Sequence, residues 1–141
     1  MIKKIYIIDD SEFKRENIRE YLTELYPNAE FVELTFVNEG LLRICRTDKA
    51  NIINNPSEHL VVIDMVMPRF YCGMPEADAG YSVLAEMNRC KLSCPALIAS
   101  SESVDDNRAS DYYENYLGSV KEKGSVFCLP FYEELLKDYL D

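Results

Sequence analysis

The chain is expected to fold as a doubly wound α/β domain, a five-stranded parallel sheet with helices on both faces. Three observations point there. The stretch Leu60-Val61-Val62-Ile63 runs unbroken into Asp64, and a β-branched apolar run of this kind marks a strand buried on both faces. Apolar segments of strand length alternate along the chain with segments of helical period, the pattern of βαβ units. Acids or hydroxyls stand where three of the strands end, on the rim where open α/β sheets bind ligands.

Residues 2–8 read as the first strand, ending at Asp9-Asp10. Ser11 is a suitable N-cap for a helix from Glu12 to about Tyr26, with Ile18, Tyr21, Leu22 and Leu25 toward the core. Pro27-Asn28 ends it. Glu30 to Val37 alternates as a second strand, with Val32, Leu34 and Phe36 on one face. Asn38 can cap a second helix carrying Leu41, Leu42 and Cys45 as far as Ile52, and Asn54-Asn55-Pro56-Ser57 is a loop by composition. Leu60–Ile63 is the third strand. Residues 69–79, with Gly73 and Pro75 and no helical period, form a loop. A third helix runs from Tyr81 to about Cys90 on Val83, Leu84 and Met87, and a fourth strand from Pro95 to Ala99 ends at Ser100-Ser101-Glu102. The polar stretch from Val104 to Lys123 is expected to hold a helix through Tyr112, Tyr113, Tyr116 and Leu117, with Gly118 near its end. Val126–Leu129 reads as the fifth strand and Phe131–Leu140 as a last helix on Leu135, Leu136, Tyr139 and Leu140. There is no internal repeat and no low-complexity segment.

With 141 residues, 48% hydrophobic and 28% charged, the chain fits one globular domain with a proper core. Its formal net charge of −10 argues against nucleic-acid binding, which needs clustered Lys and Arg. The run Ile5-Tyr6-Ile7-Ile8 stops at Asp9, too short for a signal peptide or a membrane span. The five cysteines (Cys45, Cys72, Cys90, Cys94, Cys128) include no C-x-x-C pair. Cys45 and Cys128 read as small core residues; Cys90 and Cys94 with Cys72 or His59 have the wrong spacing for zinc. Thiols in this number point to a reducing compartment, and a cytoplasmic location is expected.

In a parallel sheet, Asp9, Asp10, Asp64, Ser100 and Ser101 share one rim. Three carboxylates converging there repel one another unless a cation lies between them, and hard oxygen ligands with room for water suit Mg²⁺. A nearby hydroxyl suits an anionic group bound to that metal. A dinucleotide site would need glycines at the first strand–helix turn, and Asp9-Asp10-Ser11-Glu12 has none. A phosphatase of the haloacid dehalogenase type would need a second aspartate two positions after the first. Ser11 follows Asp9 at that distance, and Glu12 follows Asp10.

Taken together, these residues resemble a receiver domain of the two-component response regulator family. The acid pair is Asp9-Asp10, and the phosphoacceptor motif is Asp64-Met65-Val66-Met67-Pro68. Gly80 and Leu84 match the opening of helix three, Ser100-Ser101 the end of strand four, and Pro130-Phe131 the Pro-Phe after strand five. The likeness spans the whole chain and implies a flavodoxin-like receiver fold, a single domain over residues 1–141 with no output domain. It implies that Asp64 takes a phosphoryl group from a phosphohistidine, that Ser100 bonds a phosphoryl oxygen, and that Asp9, Asp10, Asp64 and the Val66 carbonyl hold Mg²⁺. Its partners would be a sensor histidine kinase or phosphotransfer protein and a downstream protein. The latter would dock on the face of helix four, strand five and helix five, where a second copy of the chain can also dock. No nucleic acid, membrane or enzymatic turnover is implied; a Mg²⁺-dependent hydrolase is the remote alternative. The nearer one is a pseudo-receiver that acts as an interaction module without phosphorylation.

Departures from the family pattern accompany the likeness. Leu129 stands where the family places a lysine before Pro-Phe, and Val126 where it places a switch aromatic. Eleven residues, Arg69 to Ala79, separate Pro68 from Gly80, a longer link than the family's. Arg69, or a lysine from Lys121 or Lys123, is a candidate replacement cation; a surface arginine on a solvated loop is the plainer reading. The Tyr113, Tyr116 and Leu117 group is expected to be half-buried packing or a protein-binding face.

Overall fold

The computed structural model describes residues 1–122 and 128–140. In chain order the elements are β1 (Lys4–Ile8), α1 (Glu12–Leu25), β2 (Glu30–Leu34), α2 (Val37–Leu42), α3 (Lys49–Asn54), β3 (His59–Ile63), β4 (Met67–Pro68), β5 (Pro75–Glu76), α4 (Ala79–Arg89), β6 (Ala96–Ser100), α5 (Asp106–Tyr112), β7 (Tyr116–Lys121) and α6 (Leu129–Leu135). Five strands form one parallel sheet in the order β2-β1-β3-β6-β7, and β4 and β5 make a separate two-stranded antiparallel ribbon. This is the doubly wound α/β architecture expected from the alternating pattern.

All five residues of β3 are buried, as a central parallel strand requires. Alternate residues feed two cores. Tyr6, Ile8, Val61, Ile63 and Ile98 pack with Ile44, Ile52, Val83, Leu84 and Met87 on one face; Ile5, Ile7, Leu60, Val62, Leu97 and Val120 pack with Ile18, Leu22, Tyr132 and Leu136 on the other. At the start of α1 the Lys14 amide donates to the Ser11 hydroxyl at 3.2 Å, the expected cap.

The stretch read as one helix over 38–52 is broken by a wide turn at Arg43–Thr47, where the Asp48 amide donates to the Arg43 carbonyl at 2.8 Å. Asp48 is pinned there by the Tyr6 hydroxyl at 2.7 Å and Arg43 Nε at 2.9 Å, so strand β1 dictates where the helix widens. The second strand stops at Leu34, because Thr35 donates its amide to Glu39 of the next helix at 2.8 Å. Phe36, rather than Asn38, takes the N-cap position of α2.

The larger correction lies further on. Tyr116 and Leu117 are not helical: α5 ends at Tyr112, Tyr113 is extended, and Tyr116–Lys121 is the fifth strand. Tyr113 leaves the helix to donate its hydroxyl to the Cys94 carbonyl at 2.6 Å, and Tyr116 donates to Asp106 at 2.6 Å. Both rings are buried, so the packing reading of these tyrosines stands although the element was misassigned. Gly118, at φ 142°, carries the bulge by which Leu97 pairs with Gly118 after Ala96 has paired with Tyr116. The expected fifth strand over Val126–Leu129 is overturned at its end, since Leu129 opens α6; Val126 and Phe127 lie outside the described residues. Pro130 fits there because its missing N–H costs nothing in a first turn. The last helix, expected from Phe131 to Leu140, is α6 followed by a single 3₁₀ turn at Lys137–Tyr139. Among the described residues no helix is long and apolar enough to cross a membrane.

Candidate functional site

Asp9 and Asp64 meet because β1 and β3 run parallel with Ile8 paired to Ile63, so the next residue of each strand is an aspartate on the same rim. The Asp64 amide donates to the Ile8 carbonyl at 2.9 Å and the Asp9 amide to Leu34 at 2.9 Å, carrying the sheet ladder into the site. One carboxylate oxygen from each of Asp9, Asp10 and Asp64 lies within 4.8 Å of the others. Among the described residues this is the one cluster able to hold a metal ion, and the cysteines form no such group.

Asp9 is 1% exposed and Asp64 5%, whereas Asp10 faces solvent. Asp9 Oδ1 accepts from the Ser11 amide at 2.9 Å, and Asp64 Oδ1 from the Met65 amide at 2.8 Å. Arg15 holds the Asp9 backbone in place, donating to its carbonyl at 2.7 Å. Burial and then the Asp64 charge push the Asp9 carboxyl up to about 6, against the pull of Lys14 and the Ser11 amide. Asp9 Oδ2 is buried and faces the Lys14 ammonium at 3.1 Å without a hydrogen bond of good geometry. A buried carboxylate oxygen of this kind fits a hard divalent cation, and the donor set suits Mg²⁺.

A cation that sequence reasoning missed already reaches the cluster. Lys14 Nζ lies 3.0 Å from Asp64 Oδ1 and 3.1 Å from Asp9 Oδ2. Burial alone would lower the Lys14 ammonium, but Asp9 and Asp64 raise it above its ordinary value. The signal was present in the sequence. Side chains in a helix lean toward its N-terminus, and residue 14 lies one turn into a helix that starts at the acid pair. A lysine there opposes the helix dipole and calls for an anionic partner.

Arg69 is not the replacement cation. It forms a forked pair with Glu76, Nε to Oε2 at 3.0 Å and Nη2 to Oε1 at 3.3 Å, across the β4–β5 ribbon. Leu129 does not end a strand, since it opens α6; the lysine at the end of the fifth strand of the sheet is Lys121, in register with Ser100, the last residue of β6. Its side chain is exposed. Lys123 lies outside the described residues. Counting three back from Lys121 reaches Gly118, so that position holds no aromatic ring.

Ser100 is buried at the end of β6, with its hydroxyl accepting from the Glu102 amide at 3.2 Å. Val66 follows the acceptor in the loop leading to β4 and is half-buried. Gly80 is needed where α4 meets that loop. Its amide donates to the Met65 carbonyl at 3.1 Å, and a Cβ there would sit 3.1 Å from the Asp64 carbonyl oxygen and 3.2 Å from Met65 Cα. His59, weighed as a zinc ligand, is instead structural: its Nδ1–H donates to the Asn55 carbonyl at 2.7 Å and the ring stacks on Tyr6.

No family model and no curated protein matches the sequence. Solved structures match it along nearly its whole length. A response regulator receiver domain protein from Clostridium thermocellum is 20% identical with a TM-score of 0.68, over 98% of this chain and 94% of that one. The Mn(2+)-bound form of response regulator Rcp1 is 16% identical with a TM-score of 0.69, over 99% and 95%. A chain of the CheX-CheY-BeF3-Mg+2 complex from Borrelia burgdorferi is 11% identical with a TM-score of 0.69, over 99% and 90%. At these identities the likeness is one of fold. The all-parallel order β2-β1-β3-β6-β7, the carboxylate rim and these matches together establish that the chain has the receiver fold of response regulators.

Proposed function

We propose that the chain is a phosphoacceptor receiver, modified on Asp64 by a phosphohistidine donor and signalling through protein contact. The observation that carries this reading is the convergence of Asp9, Asp10 and Asp64 within 4.8 Å at the C-terminal rim of the parallel sheet. In the transfer, an Asp64 oxygen forms a bond to phosphorus as the phosphorus–nitrogen bond of the phosphohistidine breaks, and the imidazole leaves with a proton. Asp64 Oδ1 is engaged by the Met65 amide and Lys14, so Oδ2 is assigned as the attacking oxygen.

Mg²⁺, when bound by Asp9, Asp10, Asp64 and the Val66 carbonyl, supplies charge neutralisation at the phosphoryl oxygens. The Ser100 hydroxyl is assigned to one of those oxygens, and Lys121, beside Ser100 in register, restores the cation missing at Leu129. Structures of similar fold described as Mg- and Mn-bound support the choice of metal. The donor is a sensor histidine kinase or phosphotransfer protein. The outgoing surface is that of α5, β7 and α6, where β7 is an edge strand of the sheet.

Incubation with a small phosphodonor and Mg²⁺, read by intact mass, tests this. One added phosphoryl group, absent from Asp64→Asn, is the expected result; an unmodified mass ends the reading. Two observations favour the second reading, a pseudo-receiver that works without phosphorylation: the Lys14 ammonium lies among the carboxylates, and Gly118 stands where a switch aromatic belongs. An unmodified wild type that still binds its protein partner would select it.

A further inference from the structure

Lys14 belongs neither to the acid triad nor to the strand-end hydroxyl and lysine, yet its ammonium touches two of the three carboxylates. Its ammonium bridges Asp64 Oδ1 at 3.0 Å and Asp9 Oδ2 at 3.1 Å, and its side chain is only 20% exposed. Asp9 Oδ2 is the buried oxygen with no hydrogen bond of good geometry. The contact is therefore largely one of charge, which is how a bare cation is held. The lysine is also placed against local preference, since a positive charge in the first turn of a helix opposes the dipole. Breaking a local rule in this way is a feature of functional positions.

We propose that the Lys14 ammonium is a resident cation of the acidic cluster, held where a divalent metal would otherwise sit, so that Lys14 docking and metal binding exclude one another. The inference rests on the reading of Asp9, Asp10 and Asp64 as a divalent-cation site. One oxygen from each of the three carboxylates lies within 4.8 Å of the others, and the Lys14 ammonium already bridges the two buried ones. An ammonium and a divalent ion bridging the same two oxygens would set three positive charges against the two buried carboxylates, Asp9 and Asp64, with Asp10 out in solvent. Metal entry therefore requires Lys14 to swing out from the rim, and the affinity of the pocket is set by the cost of that release. Because Lys14 is tied through its amide to the Ser11 cap at 3.2 Å, the first turn of α1 becomes the element that registers whether metal is bound.

Titration calorimetry with Mg²⁺, repeated with Mn²⁺ and read by electron paramagnetic resonance, tests the exclusion on the full chain. Lys14→Met keeps the length and apolar stem but removes the charge, and it is expected to lower the Kd for both ions at least tenfold. Lys14→Arg keeps the charge and is expected to bind metal no more tightly than the wild type. Lys3→Met removes the same charge from a lysine paired with Glu58 outside the cluster, and is expected to change the Kd less than twofold. Circular dichroism confirms that each variant is folded. Equal metal affinity in the wild type and Lys14→Met overturns the inference and leaves the receiver reading standing. Absence of metal binding in both proteins overturns the two together. Metal binding gained only on removal of Lys14 supports the exclusion in its strongest form.

Discussion

Tyr132→Phe is expected to loosen the end of the sheet that carries Ser100 and Lys121. Tyr132 is fully buried in α6, and its hydroxyl donates to Glu122 Oε1 at 2.6 Å. Glu122, 6% exposed, follows the last residue of β7, and its amide donates to the Ser100 carbonyl at 2.9 Å. One side chain thus joins α6, the end of β7 and the end of β6. The substitution deletes one oxygen and keeps the ring, including its contact with Tyr21 at 5.8 Å between centroids, so almost no cavity forms. What is lost is the donor to a buried carboxyl oxygen, which costs about 1–3 kcal/mol. For a slope of roughly 2 kcal/mol per molar urea, a loss in the middle of that range lowers the unfolding midpoint by about 1 M. Urea unfolding at pH 7, followed by circular dichroism and tyrosine fluorescence, measures it. Glu122→Gln, which keeps an acceptor, is expected to shift the midpoint less. The double variant is expected to lose less than the sum of the two singles, because both act on one bond. A Tyr132→Phe midpoint equal to that of the wild type, with an unchanged slope, would refute this account of how α6 is anchored.

Gly80→Val is expected to destabilise the fold by about 1–3 kcal/mol, because the new side chain meets the Asp64 carbonyl and the Met65 backbone, groups that cannot swing aside. It should also slow phosphoryl uptake, which a time course by intact mass would record; uptake at the wild-type rate would show that the α4 contact does not position the acceptor. Thiol labelling is expected to begin at exposed Cys72 and to reach Cys94 only on unfolding, since burial pushes the Cys94 thiol up to about 11 from its ordinary range near 9. The same shift means that Cys94 stabilises the fold fully below about pH 9, and that this contribution is lost as the pH rises toward 11. Alkaline melts that run flat across that range in the wild type, but slope downward in Cys94→Ala, would contradict the assignment.

Legibility followed the range of the forces involved. The run Leu60–Ile63, the Ser11 cap and the acids at 9, 10 and 64 are local signals, and each lies where periodicity and strand-end chemistry placed it. The second half of the chain was harder. Tyr113, Tyr116 and Leu117 have helical spacing, but the Tyr113 hydroxyl is drawn to the Cys94 carbonyl and the chain extends into β7 instead. That bond joins residues 19 apart and leaves no local trace. Moving the fifth strand from 126–129 to Tyr116–Lys121 turned an apparent loss of the strand-end lysine into Lys121 beside Ser100.

The sequence by itself determined the alternation of strands and helices, the buried central strand and the acidic rim, because these depend on apolar period and on the residue that ends each strand. Only the tertiary structure decided where charge is neutralised. Arg69, next to the acceptor motif in sequence, is taken up by Glu76, while Lys14, 50 residues from Asp64, lies 3.0 Å from it. Ion pairing is set by distance in space, and the parallel register of β1 and β3 brings the start of α1 over the end of β3. Asp64 is therefore a carboxylate whose surroundings are composed by two separate strand ends and one helix turn, an arrangement that sequence neighbourhood does not contain.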